Sequence, residues 1–204
     1  MEQYVDLGEQ AIFVLMGLAS VLALAVAIER LIVFTRNVWG SSKVIDQIVQ
    51  NLRGNEIQPL KEIGSQKPKN IYARFASFSA EYYDRGHESL SEMMAGRIVT
   101  EKIDLEKRLP ILSTLGNNAP FLGLLGTVLG VIKAFNGLGT LGNSGAEVVM
   151  KSISTALLAT AAGLFVAIPV VMTNNYFSKK LKVISQNLEI LSREFLASQA
   201  SKKS

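Results

Sequence analysis

The chain has no cysteine and a single histidine in its 204 residues. The first absence excludes disulfides, zinc–thiolate sites and cysteine nucleophiles. The second leaves little from which to build a transition-metal site. His87 sits in a polar stretch, RGHESL, which reads as a solvated loop or helix start. No nucleophile elbow is present either, so the sequence offers neither an enzymatic centre nor a metal site. A large excess of one charge is also missing. The 21 Lys and Arg against 17 Asp and Glu give a net charge of +4, and the basic residues are scattered rather than interleaved with aromatics, which argues against nucleic acid as a partner. What is abundant is apolar: 49% of residues are hydrophobic while 19% are charged. That mixture fits apolar spans joined to a sizeable polar part.

Ala11 to Ile28 runs eighteen residues without a charge, enough with its flanks for a transmembrane helix. The segment before it is acidic and the run ends at Glu29-Arg30, which is unlike a cleaved signal peptide. Arg30 and Arg36 follow the span, and Lys179, Lys180 and Lys182 follow the last apolar stretch. By the positive-inside rule these residues set an N-out, C-in topology, with contact to anionic headgroups as their secondary role. The expected fold is therefore an all-α membrane protein with three spans and long helices extending into a cytoplasmic helical region. Its segments are a periplasmic N-terminus (1–10), a first span (11–29), a cytoplasmic helical region (30–109), a second span (110–138), a periplasmic loop (139–146), a third span (147–174) and a C-terminal helix and tail (175–204). Within 30–109, helices are expected over 44–52 and 71–83, a loop over 64–70, and a long amphipathic helix from Leu90 running into the second span. The final SQASKKS reads as disordered.

The second span is rich in glycine. Gly116, Gly123, Gly130 and Gly137 recur every seven residues, and Gly126 to Gly130 is a GxxxG step. In a membrane such glycines mark a close helix–helix seam. Pro120 should bend this helix or break it locally, and Pro169 plays the same part in the third. In the third span, at about 100° per residue, Ser152, Ala156, Ala159, Gly163 and Ala167 share one narrow face, with Thr155 and Thr160 on its two flanks. Helix packing is thus assigned to Gly116, Gly123, Gly126, Gly130, Ala156, Ala159, Gly163 and Ala167. A literal GxGxxG at Gly137, Gly139 and Gly142 lies between two spans, lacks the strand–helix context of a dinucleotide site, and reads as a loop.

The paired stretches NAPFLGLLGTVLG (118–130) and TALLATAAG…AIP (155–169) resemble the ExbB/TolQ proton-channel family, relatives of the flagellar stator protein MotA. The resemblance covers essentially the whole chain. It implies a homopentamer around a central pore in the bacterial inner membrane, enclosing a single-span ExbD/TolR-like partner with a membrane aspartate. Proton motive force would drive a TonB-like protein for outer-membrane import; the alternatives are a TolA-coupled, TolQ-like role in envelope maintenance or a non-conducting membrane scaffold. A four-span flagellar-type stator fits poorly, because one span precedes the large loop here. Family pore threonines match Thr127 and Thr160. Family members carry a glutamate five residues before the second of these, where this chain has Thr155. Glu147 lies two turns away and is no substitute. The resemblance implies no cofactor; the translocated ion is expected to be a proton, with sodium as the alternative. A threonine in a membrane helix otherwise bonds its own preceding carbonyl, and that is the competing reading for Thr127 and Thr160.

Overall fold

The computed structural model describes residues 2–141 and 145–202. Residues 142–144 of the expected 139–146 loop, Gly142 among them, lie outside the described residues; on either side the chain is helical to Leu141 and again from Gly145, so Gly137 and Gly139 of the GxGxxG stretch stand in a helix rather than a loop. Every element among those described is an α-helix: α1 (Glu2–Val38), α2 (Ser41–Arg53), α3 (Gln58–Gln66), α4 (Ile71–Glu81), α5 (His87–Glu106), α6 (Leu109–Leu141) and α7 (Gly145–Lys202). Three of them, α1, α6 and α7, are long and apolar enough to cross a membrane. The chain divides into two units: residues 1–29 with 108–176, and 30–107 with 177–204.

In the first unit α1, α6 and α7 pack through small side chains. Ile12, Met16, Ala23, Ala119, Ala134, Ala156, Ala159 and Ala167 are buried, while Leu18, Val21, Phe121, Leu157 and Phe165 stay exposed, as lipid-facing or partner-facing positions would. Neither proline interrupts its helix: α6 runs through Pro120 and α7 through Pro169. Bilayer helices carry such prolines where neighbouring groups satisfy the freed carbonyls.

The second unit has a conventional apolar core. Ile48, Leu60, Ile63, Phe75, Leu90, Met94, Phe177 and Phe195 are all buried, with Phe75 edge-on to Phe195 at 6.4 Å. Gly40 takes a left-handed φ of 70° to turn α1 into α2, a conformation glycine adopts without strain. Asn70 starts α4: its side-chain oxygen accepts from the Tyr72 and Ala73 amides at 3.0 and 3.2 Å, and its amide donates to the Trp39 carbonyl at 3.0 Å. Burial pushes the Tyr72 phenol above its ordinary value, opposed in part by the hydrogen bond that the Asn187 amide donates to it.

Three features depart from the sequence reading. A short helix, α3, occupies Gln58–Gln66, so the expected 64–70 loop shrinks; Pro59 stands in its first turn, where a missing N–H costs nothing. The helix from Leu90 does not continue into the second span. It ends at Glu106, and Arg108 adopts φ 65° before α6 begins, its guanidinium on Glu29 at 2.6 Å. The tail is helical through Lys202 because its polar side chains have partners: Gln199 Nε2 donates to the Tyr83 and Arg85 carbonyls at 2.5 and 2.7 Å, and the Ser198 hydroxyl to the Leu52 carbonyl at 3.1 Å.

Candidate functional site

The third span and the glycine-rich second span meet along a seam with almost no side-chain thickness. A methyl group on Gly123 would come within 2.9 Å of the Ala159 carbonyl oxygen and 3.0 Å of the Thr160 Cα. One on Gly163 would meet the Ala119 carbonyl at 2.7 Å and the Gly123 Cα at 3.0 Å. Gly126 faces the Ala159 methyl, Gly130 the Ala156 methyl, and Gly116 stands against Val170 and Val171. Ser152 and Ala167 are buried on the same face of α7.

The three threonines of interest behave differently at this seam. Thr160, half-buried, donates its hydroxyl across to the Gly123 carbonyl of α6 at 3.2 Å. By the helical repeat that carbonyl also serves the Thr127 amide, so the two residues converge on one oxygen. The Thr127 hydroxyl itself donates to the Leu124 carbonyl at 2.6 Å, within its own helix. Thr155 likewise donates to the Lys151 carbonyl at 3.1 Å. The structure does not bring Thr155 to the other two. At about 100° per residue it shares a face with Ala162, Val166 and Thr173, residues lining the apolar clefts between α7 and α1, one of ≈ 440 Å³ and one of ≈ 210 Å³.

The expected topology residues also separate. Lys179, Lys180 and Lys182 are exposed on α7. Arg30 is buried, 4% exposed, and donates to the Leu105 carbonyl at 3.4 Å. Sequence reasoning passed over Lys133, which lies inside the second span. Its ammonium pairs with Asp6 at 2.6 Å and Glu9 at 3.3 Å on the first turns of α1, where Gly8 brings α1 against Leu129. A lone lysine in an apolar helix was the signal available; its partners lie more than a hundred residues away in the chain. Among the described residues no cluster of His, Asp and Glu is arranged to hold a metal ion.

Residues 67–190, more than half of the chain, match the model of the MotA/TolQ/ExbB proton channel family. The biopolymer transport protein ExbB of Neisseria meningitidis serogroup A is 30% identical over 195 residues, covering 90% of this chain and 88% of that protein. The chain belongs to the MotA/TolQ/ExbB proton channel family. With its three membrane-capable helices it is a multi-pass membrane protein. Relatives named TolQ and relatives named ExbB both match. The Tol-Pal system protein TolQ of Pseudomonas aeruginosa is 38% identical over 110 residues, 54% of this chain and 48% of the relative. An ExbB of Helicobacter pylori is 44% identical over 89 residues, 44% of this chain and 61% of the relative. The chain thus spans about half to three-fifths of the length of these two relatives. The matched segment contains α6, the part of α7 that forms the seam and all three threonines.

Proposed function

We propose that the chain is the channel subunit of an inner-membrane energy-transducing complex, in which ions crossing the membrane beside Thr127 and Thr160 drive a TonB-like protein for outer-membrane import. The observation that carries this reading is the Thr160 hydroxyl, placed across the seam on the Gly123 carbonyl. A donating hydroxyl keeps two acceptor lone pairs, and because Thr160 donates across the seam its pairs lie at the contact between the two helices, available to a water or a protonated carboxyl. The Thr127 hydroxyl donates within its own helix and keeps the same two acceptor sites.

In this reading residues 1–10 face the periplasm, 11–29, 110–138 and 147–174 span the membrane, 139–146 connect the second and third spans outside, and 30–109 and 175–204 are cytoplasmic. Five copies surround a single-span partner whose membrane aspartate supplies the ionisable group that Thr155 does not. The proton is the favoured ion, since hydroxyls relay protons without a coordination shell; sodium is the alternative. An ExbB-like role is preferred over a TolQ-like one because an ExbB relative matches along nearly the whole chain. The rival scaffold reading draws on Thr127 and Thr155, whose hydroxyls are satisfied within their own helices.

The test is Thr160→Val, which keeps the shape and removes the hydroxyl. The complex with the single-span partner should assemble with unchanged mass, while coupled proton uptake into proteoliposomes falls at least tenfold. Uptake at the wild-type rate in this variant removes Thr160 from the ion path, whereas absence of uptake by the unaltered complex would leave the scaffold.

A further inference from the structure

The two apolar clefts between α1 and α7 are parts of one groove, because Ser20, Phe165 and Val166 line both. Along α1 the groove runs from Phe13 to Ala27, about 21 Å at 1.5 Å per residue. One leaflet is about 15 Å deep, half of a bilayer's hydrocarbon core, so the groove can take a whole tail from one leaflet. Gly17, Ser20, Ala23 and Ala162 keep it open, and a methyl group on Gly17 would meet open space. Leu24, Leu158 and Phe165 stand at its edge, 63, 61 and 81% exposed.

The α7 wall continues past the groove toward the end of the bundle where α1 begins. At about 100° per residue, Lys151 and Thr155 fall in line with Leu158 and Ala162, and Glu147 with Phe165. Lys151 and Glu147 are both exposed. They stand one turn apart, yet among the described residues neither has an ion-pair partner. The mouth of the groove thus offers one cation and one anion above an apolar furrow. An apolar helix laid in the groove would leave both charges unmatched. A zwitterionic phospholipid matches the charges and the furrow together.

We propose that the groove holds one acyl chain of a zwitterionic phospholipid, with the lipid phosphate on the Lys151 ammonium and the lipid ammonium toward Glu147. The Lys151 stem lies along apolar surface while its charge stays at headgroup level. The site is separate from the ion path, since Thr160 is on the opposite flank of α7.

The test is native mass spectrometry of the purified full-length protein, mixed in detergent with phosphatidylethanolamine or phosphatidylglycerol. One phosphatidylethanolamine per chain should be retained. Phosphatidylglycerol, which has the phosphate and lacks the ammonium, should bind at least fivefold more weakly. Lys151→Gln should weaken phosphatidylethanolamine at least fivefold, and Glu147→Gln should bring the two lipids within twofold of each other. Gly17→Leu, which fills the furrow, should weaken both at least tenfold, whereas Leu18→Phe on the far side of α1 should stay within twofold of wild type. Wild-type retention by Gly17→Leu overturns the groove as the site, and wild-type retention by Lys151→Gln overturns the headgroup contact. The chain has no cysteine of its own, so a disulfide between copies of Leu158→Cys, with no lipid retained, would give the groove to a second copy and overturn the proposal. Should Gly17→Leu not fold, a phosphatidylethanolamine carrying a mid-chain diazirine decides on the wild type. Its label should fall on Phe13, Gly17, Leu158 and Ala162; label spread evenly over Val21 and Phe121 as well overturns the site.

Discussion

A carboxylate taken out of water has to be held by charge, and Glu101 is held twice. Its side chain is 4% exposed, with Arg74 Nη2 at 2.6 Å and Arg97 Nη2 at 2.6 Å, and Arg74 Nη2 also reaches the Asn37 carbonyl oxygen of its side chain at 2.9 Å. One residue thus ties α4 to α5, and through Arg74 to α1. Glu101→Gln leaves two guanidiniums facing each other. Breaking a buried pair costs several kcal/mol, but both arginines keep partial access to solvent, so a loss of about 2 kcal/mol is expected. Asp104, whose pair with Lys107 is exposed on both sides, sets the contrast: Asp104→Asn should leave stability within experimental error. Thermal melts of the two purified variants check this, and equal melting temperatures would remove Glu101 from its structural role. The sequence shows Glu101 only as one more charge on an amphipathic helix, since the arginine that buries it most tightly is 27 residues away.

Between elements the governing quantity is how closely two backbones approach. At the α6–α7 seam the neighbours of Gly163 are backbone atoms, the Ala119 carbonyl and the Gly123 Cα, and neither can rotate aside. Gly163→Ala must push the helices apart, and overpacking of this kind costs about 1–3 kcal/mol. Gly17 in α1 has open space where its methyl would go, and Gly17→Ala should be neutral or slightly stabilising through helix propensity. Melting both variants in detergent compares them directly; a Gly163→Ala protein as stable as Gly17→Ala would show that the seam is loose. The seven-residue spacing of Gly116, Gly123 and Gly130 is visible in the sequence, as are the charge-free runs of the spans. The partner of each glycine is not, because it depends on the relative register of two helices. The nine residues of α3 are too few, and too interrupted by Pro59 and Gly64, to declare a period. The break before α6 escapes notice for the opposite reason: Lys107 and Arg108 are ordinary helix formers, and the left-handed turn at Arg108 carries no glycine to announce it.

At the scale of the whole chain the second unit is closed by the last turns of α7. Its central aromatic residues come from distant stretches: Phe75 and Tyr83 from the middle, Phe195 from the last turns of α7, with Tyr83 and Phe195 rings 6.4 Å apart. Composition alone makes the terminal SQASKKS look like a solvated tail. Ser198 and Gln199 read differently in place, because the Gln199 amide donates to both the Tyr83 and Arg85 carbonyls of the turn after α4. The Ser198 hydroxyl meets the Tyr83 phenol at 2.8 Å as well as the Leu52 carbonyl. Deleting residues 198–204 removes these bonds while keeping Phe195 and all three spans. At about 1 kcal/mol for each lost bond, the cost should be roughly 2–4 kcal/mol, concentrated at the turn between α4 and α5. Limited trypsin digestion reads it there: cleavage after Arg85 should accelerate severalfold in the truncated protein, with membrane insertion unchanged. A truncated chain cut at the wild-type rate would mean that the last helical turn holds nothing, and that the bonds to Tyr83 and Arg85 contribute no stability to the turn they cap.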